Sequence, residues 1–331
     1  MTSLRRYALY HAKTTLPRLA VIAVVSLLCM YAFFDVHIYQ LEGRYNYGTC
    51  QPGTLTMILG VAATVMPILE LAGFKNRRNL DTLCFLPISR MKMAVVHYLN
   101  GLFQLVAIGL FCFGAAAIWL LPHVVYFNIV SLLPFCALAL LCSLLIYSFF
   151  MFIFMQAETT VDGILMMLVY TFLMMILMMV VSLMDGFWQY MPDGFTLDGT
   201  FVYSPLGIAS RSYGAAIHGE TPAAIDGSDV LTVVMWSVIA LLSALGYFIT
   251  FPRHRVEKVG GISDSFFGYR VLIPLCGFCL IYWNGEFFPL YAVILILMLT
   301  GYIIYRRSLR LCRSDLLMLA ISLALYVFRA V

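Results

Sequence analysis

Three polar residues with helical spacing lie within a long apolar run, where polar side chains are uncommon. His97, Asn100 and Gln104 follow one another at intervals of three and four residues, so a helix places them on one face. Because a helix rises about 1.5 Å per residue, Gln104 lies roughly 17 Å along the helix from Met93. Buried amides of this kind hydrogen-bond to neighbouring helices or line a translocation cavity, and the sequence leaves both roles open.

Glu70 is an acidic residue at the end of an earlier apolar run. A carboxylate deep in a bilayer is costly unless a cation pairs with it. Lys75, Arg77 and Arg78 follow closely in the sequence. We therefore expect Glu70 to form a charge pair with one of these cations at the membrane boundary.

The segment 75–92 combines basic residues with a short apolar face. Leu80 and Leu83 share one side of a short predicted helix, which Pro87 ends. Ser89 can cap the helix that follows. This pattern is typical of a connector whose charges set the topology, and equally of a surface helix on which a cytoplasmic partner docks.

Motifs for enzymatic chemistry are missing from the sequence. There is no G-x-x-x-x-G-K-[ST] loop for phosphate, no H-E-x-x-H metal motif and no G-x-S-x-G nucleophile motif. We therefore predict that the chain is not an enzyme, with no catalytic residue, no cofactor and no metal site.

The elements that must position these residues are apolar helices. The chain has 331 residues, of which 63% are hydrophobic and 11% are charged, and its mean hydropathy is +0.95. A soluble domain carries about a quarter charged residues, so a water-soluble enzyme is excluded. The composition predicts an all-α polytopic membrane protein whose spans need roughly 20 apolar residues each.

The apolar runs divide the chain into four parts. Residues 1–18 are predicted to form an amphipathic helix in the membrane interface, and residues 252–270 a cytoplasmic connector. The region 19–251 is predicted to be a core of six spans, at 19–35, 54–74, 93–121, 128–155, 163–185 and 230–251. The region 271–331 is predicted to be an extension of two or three helices, from the runs 271–283, 290–305 and 315–328.

Basic residues predict the orientation of the chain, because they are retained on the cytoplasmic side. Four segments contain 17 of the 20 basic residues. These segments are 1–18, 75–92, 252–270 and 306–313. We therefore predict a cytoplasmic N-terminus in a plasma membrane, with the acidic loop 186–229 outside.

Two stretches carry a resemblance to a known family. The run from Asn79 to Arg90, NLDTLCFLPISR, followed by His97-Tyr-Leu-Asn-Gly101, resembles the LDxLxSLPISR and KYLxGL patterns of the ABC-2 type transporter permeases. Cys84-Phe85 replaces the usual small polar pair, and His97 stands where Lys is commoner. The segment RHRVEKVG at 253–260 is similar to the RKxExAG stretch of small Gram-positive members, including the acetoin-utilisation group.

This resemblance implies the membrane half of an ATP-driven exporter in a bacterial plasma membrane. Two copies of a separate ABC ATPase subunit would bind a homodimer, or a pair with a sister permease, surrounded by membrane lipid and with no role for nucleic acid. The segment after the second span would be the coupling helix that contacts the ATPase. The implied docking residues are Arg77, Arg78, Leu80, Leu83, Phe85 and Arg90.

Two other classes of protein stay open from the sequence. A secondary transporter or channel would lead us to expect inverted repeats and discontinuous helices around midplane charges, and the sequence shows neither. A membrane sensor or immunity protein that transports nothing fits the same composition. The transported substrate is not encoded in any recognisable motif.

Overall fold

The structure is a computed structural model in which most of the chain forms long helices. It describes residues 3–33, 36–41, 45–50, 52–76, 87–123, 129–182, 205–210, 227–254, 259–261, 265, 267–283, 288–306 and 315–321. The eight longer helices are α1 (Ser3–Phe33), α2 (Pro52–Leu71), α3 (Arg90–His123), α4 (Ile129–Met155), α5 (Thr160–Ser182), α6 (Gly227–Arg253), α7 (Tyr269–Trp283) and α8 (Phe288–Arg306). A 3₁₀ turn, Ala72–Lys75, extends α2. Two short helical stretches, at 205–210 and 315–321, complete the described helices.

Five of the described helices are long and apolar enough to cross a membrane. The qualifying segments are Leu4–Tyr31, Thr54–Lys75, Arg90–Ile118, Leu133–Met155 and Val230–Arg253. Two further apolar stretches, Thr160–Thr171 and Tyr291–Ile303, are shorter. The predicted helical fold is thus confirmed at this level, and the five helices are consistent with a multi-pass membrane protein.

The N-terminal region differs from the expectation at residue 18. Helix α1 runs without a break from Ser3 to Phe33, whereas the sequence analysis separates an interfacial helix 1–18 from a first span. Lys13 is exposed in α1, and Arg18 contacts a residue of α2. Because the Arg18 charge is paired with α2, it gives no reason to end the helix at this cation.

A short β-hairpin follows α1 and was not predicted. Strand β1 (Val36–Leu41) pairs antiparallel with β2 (Tyr45–Cys50), in a register that joins Val36 to Cys50 and Leu41 to Tyr45. Both strands are rich in β-branched and aromatic residues, which favour extended backbone. The predicted all-helical fold therefore holds for the described helices, and the hairpin is a short addition to it.

Helix α4 lies at the centre of the bundle and packs against α2, α3, α5 and α6. Its sequence is apolar on all sides, as a helix surrounded by other helices requires. Among the largest fully buried side chains of the core are Leu59 and Met66 of α2, Leu105 of α3, Tyr147, Phe150 and Phe154 of α4, and Trp236 and Tyr247 of α6.

A glycine allows the close approach of α3 and α4. A methyl group placed on Gly101 would lie 2.8 Å from Cζ and 3.0 Å from Cε2 of the Tyr147 ring. The Tyr147 hydroxyl donates a hydrogen bond to the Tyr98 carbonyl at 3.1 Å. Small residues at helix contacts permit this spacing in membrane bundles.

The outward surface of the bundle is strongly apolar. Val21, Leu28, Leu241 and Leu242 are more than half exposed. Exposing such a surface to water would cost free energy, whereas exposing it to the hydrocarbon of a bilayer does not. Helix α1 packs mainly against α2 and α3. Helix α7 packs against α5 and α8.

Candidate functional site

Glu70 is the hub of a polar cluster that joins the first three helices. It lies one residue before the end of α2, and its side chain has no exposed surface. Every partner that the structure describes for this carboxylate comes from α1 or α3. We call the following residues the Glu70 cluster: Tyr7, His11 and Arg18 of α1, Glu70 of α2, and His97, Asn100 and Gln104 of α3.

One carboxylate oxygen, Oε1, accepts hydrogen bonds from three side chains. The Arg18 guanidinium donates from Nη2 in an ion pair. The side-chain amides of Asn100 and Gln104 each donate at 3.0 Å. Arg18 also bonds the Leu69 carbonyl at 2.9 Å, so the guanidinium position is defined by α2 backbone as well as by the carboxylate.

The other oxygen, Oε2, faces two imidazoles. Nε2 of His11 lies at 2.8 Å and Nδ1 of His97 at 3.2 Å. An ionised carboxylate only accepts hydrogen bonds, so each of these nitrogens carries the hydrogen. Nε2 of a neutral His97 then accepts from the Tyr7 hydroxyl, at 2.9 Å.

Rings pack around the imidazoles and shield them. The His11 and His97 rings meet edge to face with centroids 4.2 Å apart. Phe74 packs edge to face on His97 at 4.8 Å, and Tyr7 stacks parallel to His11. The histidines are therefore held on several sides, although the His11 side chain keeps 16% of its surface exposed.

The buried Glu70 carboxylate is stabilised by an ion pair and by hydrogen-bond donors to both of its oxygens. A buried ion pair is stable only when its geometry is good and the remaining lone pairs are bonded. Here both carboxylate oxygens are occupied by donors from two other helices. The cluster can therefore fix the relative positions of α1, α2 and α3, and it offers ionisable groups for proton or cation chemistry.

A second group of polar contacts lies where four helices end, and we call it the helix-end junction. It consists of Lys75, Arg90, Glu158 and His254. Lys75 is buried, and its Nζ donates to the carbonyls of Met155, at 3.1 Å, and of Ala157. Because α4 ends at Met155, this ammonium caps the free carbonyls of that helix.

The other members of the junction join α3, α5 and α6. Arg90 Nη1 donates to the His254 carbonyl at 2.7 Å, and His254 Nε2 lies 3.0 Å from Glu158 Oε2. The Gly260 amide donates to the Glu158 carbonyl at 3.1 Å. Gly260 has a φ of 80°, a conformation that glycine adopts without strain.

The structure brings together one group of the predicted residues. His97, Asn100 and Gln104 lie on one face of α3 and all contact Glu70. Among the described residues, Glu70 pairs with Arg18, whereas Lys75, one of the three expected cations, bonds backbone carbonyls instead. Of the predicted docking residues, Arg90 is described, whereas Arg77, Arg78, Leu80, Leu83 and Phe85 lie outside the described residues.

Sequence reasoning missed the contribution of α1. In one continuous helix, residues 7, 11 and 18 fall within about 40° of one another at 100° per residue. This signal was available within the predicted helix 1–18, but that helix was predicted to lie in the membrane interface, apart from the spans that contain Glu70 and His97. Neither His11 nor Tyr7 was therefore singled out.

Comparisons with protein-family models, with curated proteins and with solved structures find no match to this chain.

Proposed function

We propose that this chain is the membrane-spanning permease subunit of an ABC-2 type exporter in a bacterial plasma membrane, with its N-terminus in the cytoplasm. It acts as a dimer with itself or with a sister permease. Two separate ABC ATPase subunits bind below it and supply the free energy of ATP hydrolysis. The resemblance of residues 79–101 to this family is the starting point for the proposal.

The observation that carries the proposal is the attachment of both ends of the segment 77–86 to the helix bundle. Lys75, just before the segment, is bonded to the end of α4. Arg90, just after it, is bonded to the end of α6. A docking segment transmits a displacement only if its ends are fixed to the parts that move, and these two contacts meet that need.

In this proposal, closure of the ATPases on ATP displaces the segment 77–86 and with it the helix-end junction. The displacement reaches α2 through Lys75 and reaches α3 and α6 through Arg90 and His254. Lys75 follows Glu70 by five positions, so the same movement acts on the Glu70 cluster. The helices that line the pathway then change their packing and alternate access between the two sides.

The test is a charge placed in the proposed docking contact. Leu83→Asp puts a carboxylate into a desolvated surface, at a cost of a few kcal/mol, which weakens docking by about a hundredfold or more. Arg77→Ala should have a smaller effect, because an exposed charge pair contributes about 1 kcal/mol or less. The measurement is recovery of an ABC ATPase with the purified chain, with ATP hydrolysis by the complex.

Thr82→Asp is the matched control, because it adds the same charge to the same segment at a position that is already polar. Abundance in the membrane should be equal for all three variants, since the segment lies between the apolar spans. Normal ATPase recovery with Leu83→Asp would show that 77–86 is only a connector.

The Glu70 cluster favours a second candidate function, that of a secondary transporter or channel. Ionisable side chains within spans commonly mark ion or proton pathways. Reconstitution of the chain alone discriminates between the two. Solute flux driven by a proton gradient without any ATPase subunit would favour the secondary transporter, and flux that needs the ATPase and ATP would favour the exporter.

A further inference from the structure

Three of the residues in the Glu70 cluster present metal-ligating atoms to one point. These atoms are Nε2 of His11, Oε2 of Glu70 and Nδ1 of His97, and all lie within 4.8 Å of one another. They come from three different helices, α1, α2 and α3. We propose that they form a binding site for one divalent transition-metal cation of the Zn²⁺ class.

The spacing of the atoms is close to that of a bound ion. Zinc bonds to imidazole nitrogen and carboxylate oxygen are about 2.0–2.2 Å long, so tetrahedral ligand atoms lie about 3.3 Å apart. The two distances to Oε2 are 2.8 Å, from His11, and 3.2 Å, from His97. The third pair, the two imidazole nitrogens, lies within 4.8 Å, so side-chain rotation is needed to bring all three atoms to the spacing of a bound ion.

The ligand types select the class of cation. Two imidazoles and one carboxylate suit zinc and similar first-row metals, whereas calcium and magnesium prefer sites built wholly from oxygen. Three protein ligands leave a fourth position for water. The cation takes the place of the two hydrogens that the imidazoles now direct at Glu70, and each neutral ring then carries its hydrogen on the other nitrogen.

Groups behind the ligands support them as they do in other metal sites. A ligating imidazole usually has its second nitrogen held by a hydrogen bond, and Tyr7 holds that nitrogen in His97. A His97 ring that binds the cation through Nδ1 carries its hydrogen on Nε2. The Tyr7 hydroxyl can then accept instead of donating, so this contact survives binding.

Glu70 is also held from behind, through its other oxygen. Asn100 and Gln104 bond Oε1, which leaves Oε2 directed at the imidazoles. Arg18 bonds Oε1 too, and its positive charge repels a dication on the far side of the carboxylate. The Arg18 side chain is 26% exposed, so solvent reduces this repulsion without abolishing it.

The proposal does not depend on the exporter function. A bound cation connects α1 to α2 and α3 by coordinate bonds in place of hydrogen bonds. It therefore stabilises the folded bundle according to the free cation concentration and the dissociation constant. A thermal shift on adding Zn²⁺ is a readout that needs no transport assay.

The experiment measures Zn²⁺ binding to the full-length chain in detergent, purified through a tag without histidines and stripped with a chelator. Equilibrium dialysis with metal analysis should find one Zn²⁺ per wild-type chain at micromolar free Zn²⁺, together with a rise in the unfolding temperature. His11→Gln and His97→Asn retain an N–H donor at the position of the ligating nitrogen. Each should weaken binding by about a hundredfold or more, because one of three protein ligands is lost.

Three further variants separate this site from adventitious binding. His254→Gln changes a histidine of the helix-end junction and should leave Zn²⁺ affinity unchanged. Tyr7→Phe should weaken affinity by about 10–100-fold, the usual effect of losing a supporting hydrogen bond. Arg18→Gln should tighten binding about tenfold or more, because a nearby positive charge is removed.

Two outcomes would overturn the proposal. One is a wild-type chain that takes up no Zn²⁺ under these conditions. The other is wild-type affinity in both His11→Gln and His97→Asn, when the metal-free variants elute as a single species and unfold at the wild-type temperature. In that case the two histidines serve only as hydrogen-bond donors to Glu70.

Discussion

At the scale of single residues, Arg18 and Glu70 depend on each other. Each side chain is placed where it cannot be fully hydrated, and each is the nearest opposite charge that the structure describes for the other. Removal of one partner from a buried pair leaves the other as an uncompensated charge, which costs about 3–5 kcal/mol. Replacing both partners avoids that penalty.

We therefore expect Glu70→Gln and Arg18→Gln each to destabilise the chain by about 3–5 kcal/mol. The double variant should recover much of this loss, because neither charge remains. The measurement is the unfolding temperature of the detergent-solubilised chain for both single variants and the double variant. Lys13→Gln, an exposed cation in the same helix, is the control and should change stability by about 0.5 kcal/mol or less.

Additive losses in the double variant would contradict this prediction. They would mean that Arg18 and Glu70 contribute separately, through hydrogen bonds to the amides and to the Leu69 carbonyl. The recovery of stability is thus the informative quantity, rather than the loss in either single variant.

Much of the Glu70 cluster was accessible from local sequence, and part of it was not. The spacing of His97, Asn100 and Gln104 places them on one helix face in any span that includes them. The partner of Glu70 required knowledge of which helix packs beside α2. Lys75 is nearer in sequence than Arg18, but its side chain reaches the end of α4, so nearness in sequence does not make Lys75 the partner.

At the scale of elements, the contact of α3 with α4 depends on a missing side chain. The Tyr147 ring occupies the space beside Gly101 and is fully buried, so it cannot turn aside. An added methyl group at Gly101 must therefore displace the Tyr147 ring or the helix that carries it. Because α4 also packs on α2, α5 and α6, that displacement affects the whole core.

Gly101→Ala should destabilise the bundle by about 1–3 kcal/mol, the usual cost of overfilling a packed core. Tyr147→Phe combined with it should recover part of the loss, because the hydroxyl is the nearest atom to the added methyl group. Thermal unfolding in detergent, with gel filtration to confirm a single species, measures both effects.

Gly114→Ala provides the matched control in the same helix. Apart from the backbone of its own helix, no atom of the described residues lies within 4 Å of a methyl group placed there, so alanine should be neutral or should stabilise α3 by up to about 1 kcal/mol. Equal losses at positions 101 and 114 would indicate a general effect of glycine in α3 instead of a close contact with Tyr147.

Helix positions were more predictable than helix boundaries. Long apolar runs produce spans because the backbone must satisfy its own hydrogen bonds in lipid, and α2 through α6 begin or end within a few residues of the predicted runs. The continuity of α1 and the pairing of the two strands after it depend on contacts with other segments. The composition of one segment does not predict such contacts.

At the scale of the whole molecule, the orientation of the chain is a prediction from its charges. Cys50 ends β2 and Cys84 lies in the basic segment 75–92, with α2 between them. The 17 basic residues in alternate segments place Cys84 inside. A membrane-impermeant thiol reagent applied to intact cells should label a single-cysteine variant at position 50 or in 186–229. It should label position 84 or 252–270 only after permeabilisation.

Variants that retain only Cys50 or only Cys84 make the comparison within the native sequence. Two controls are needed: both variants must be expressed equally, and both must be labelled by the reagent in detergent. Labelling of position 84 in intact cells would reverse the orientation and remove the basis for an ATPase below this segment.

The position of the Glu70 cluster along the chain has a consequence for biosynthesis. The partners described for Glu70 span residues 11–104, so Arg18 and His11 have been translated before Glu70 leaves the ribosome. The amides of α3 follow within 34 residues. The most costly charge in the bundle therefore finds its partners during insertion, while the acceptors of Lys75 are synthesised about 80 residues later. A ribosome that stalls after α3 would leave a nascent chain in which Glu70 already has its described partners.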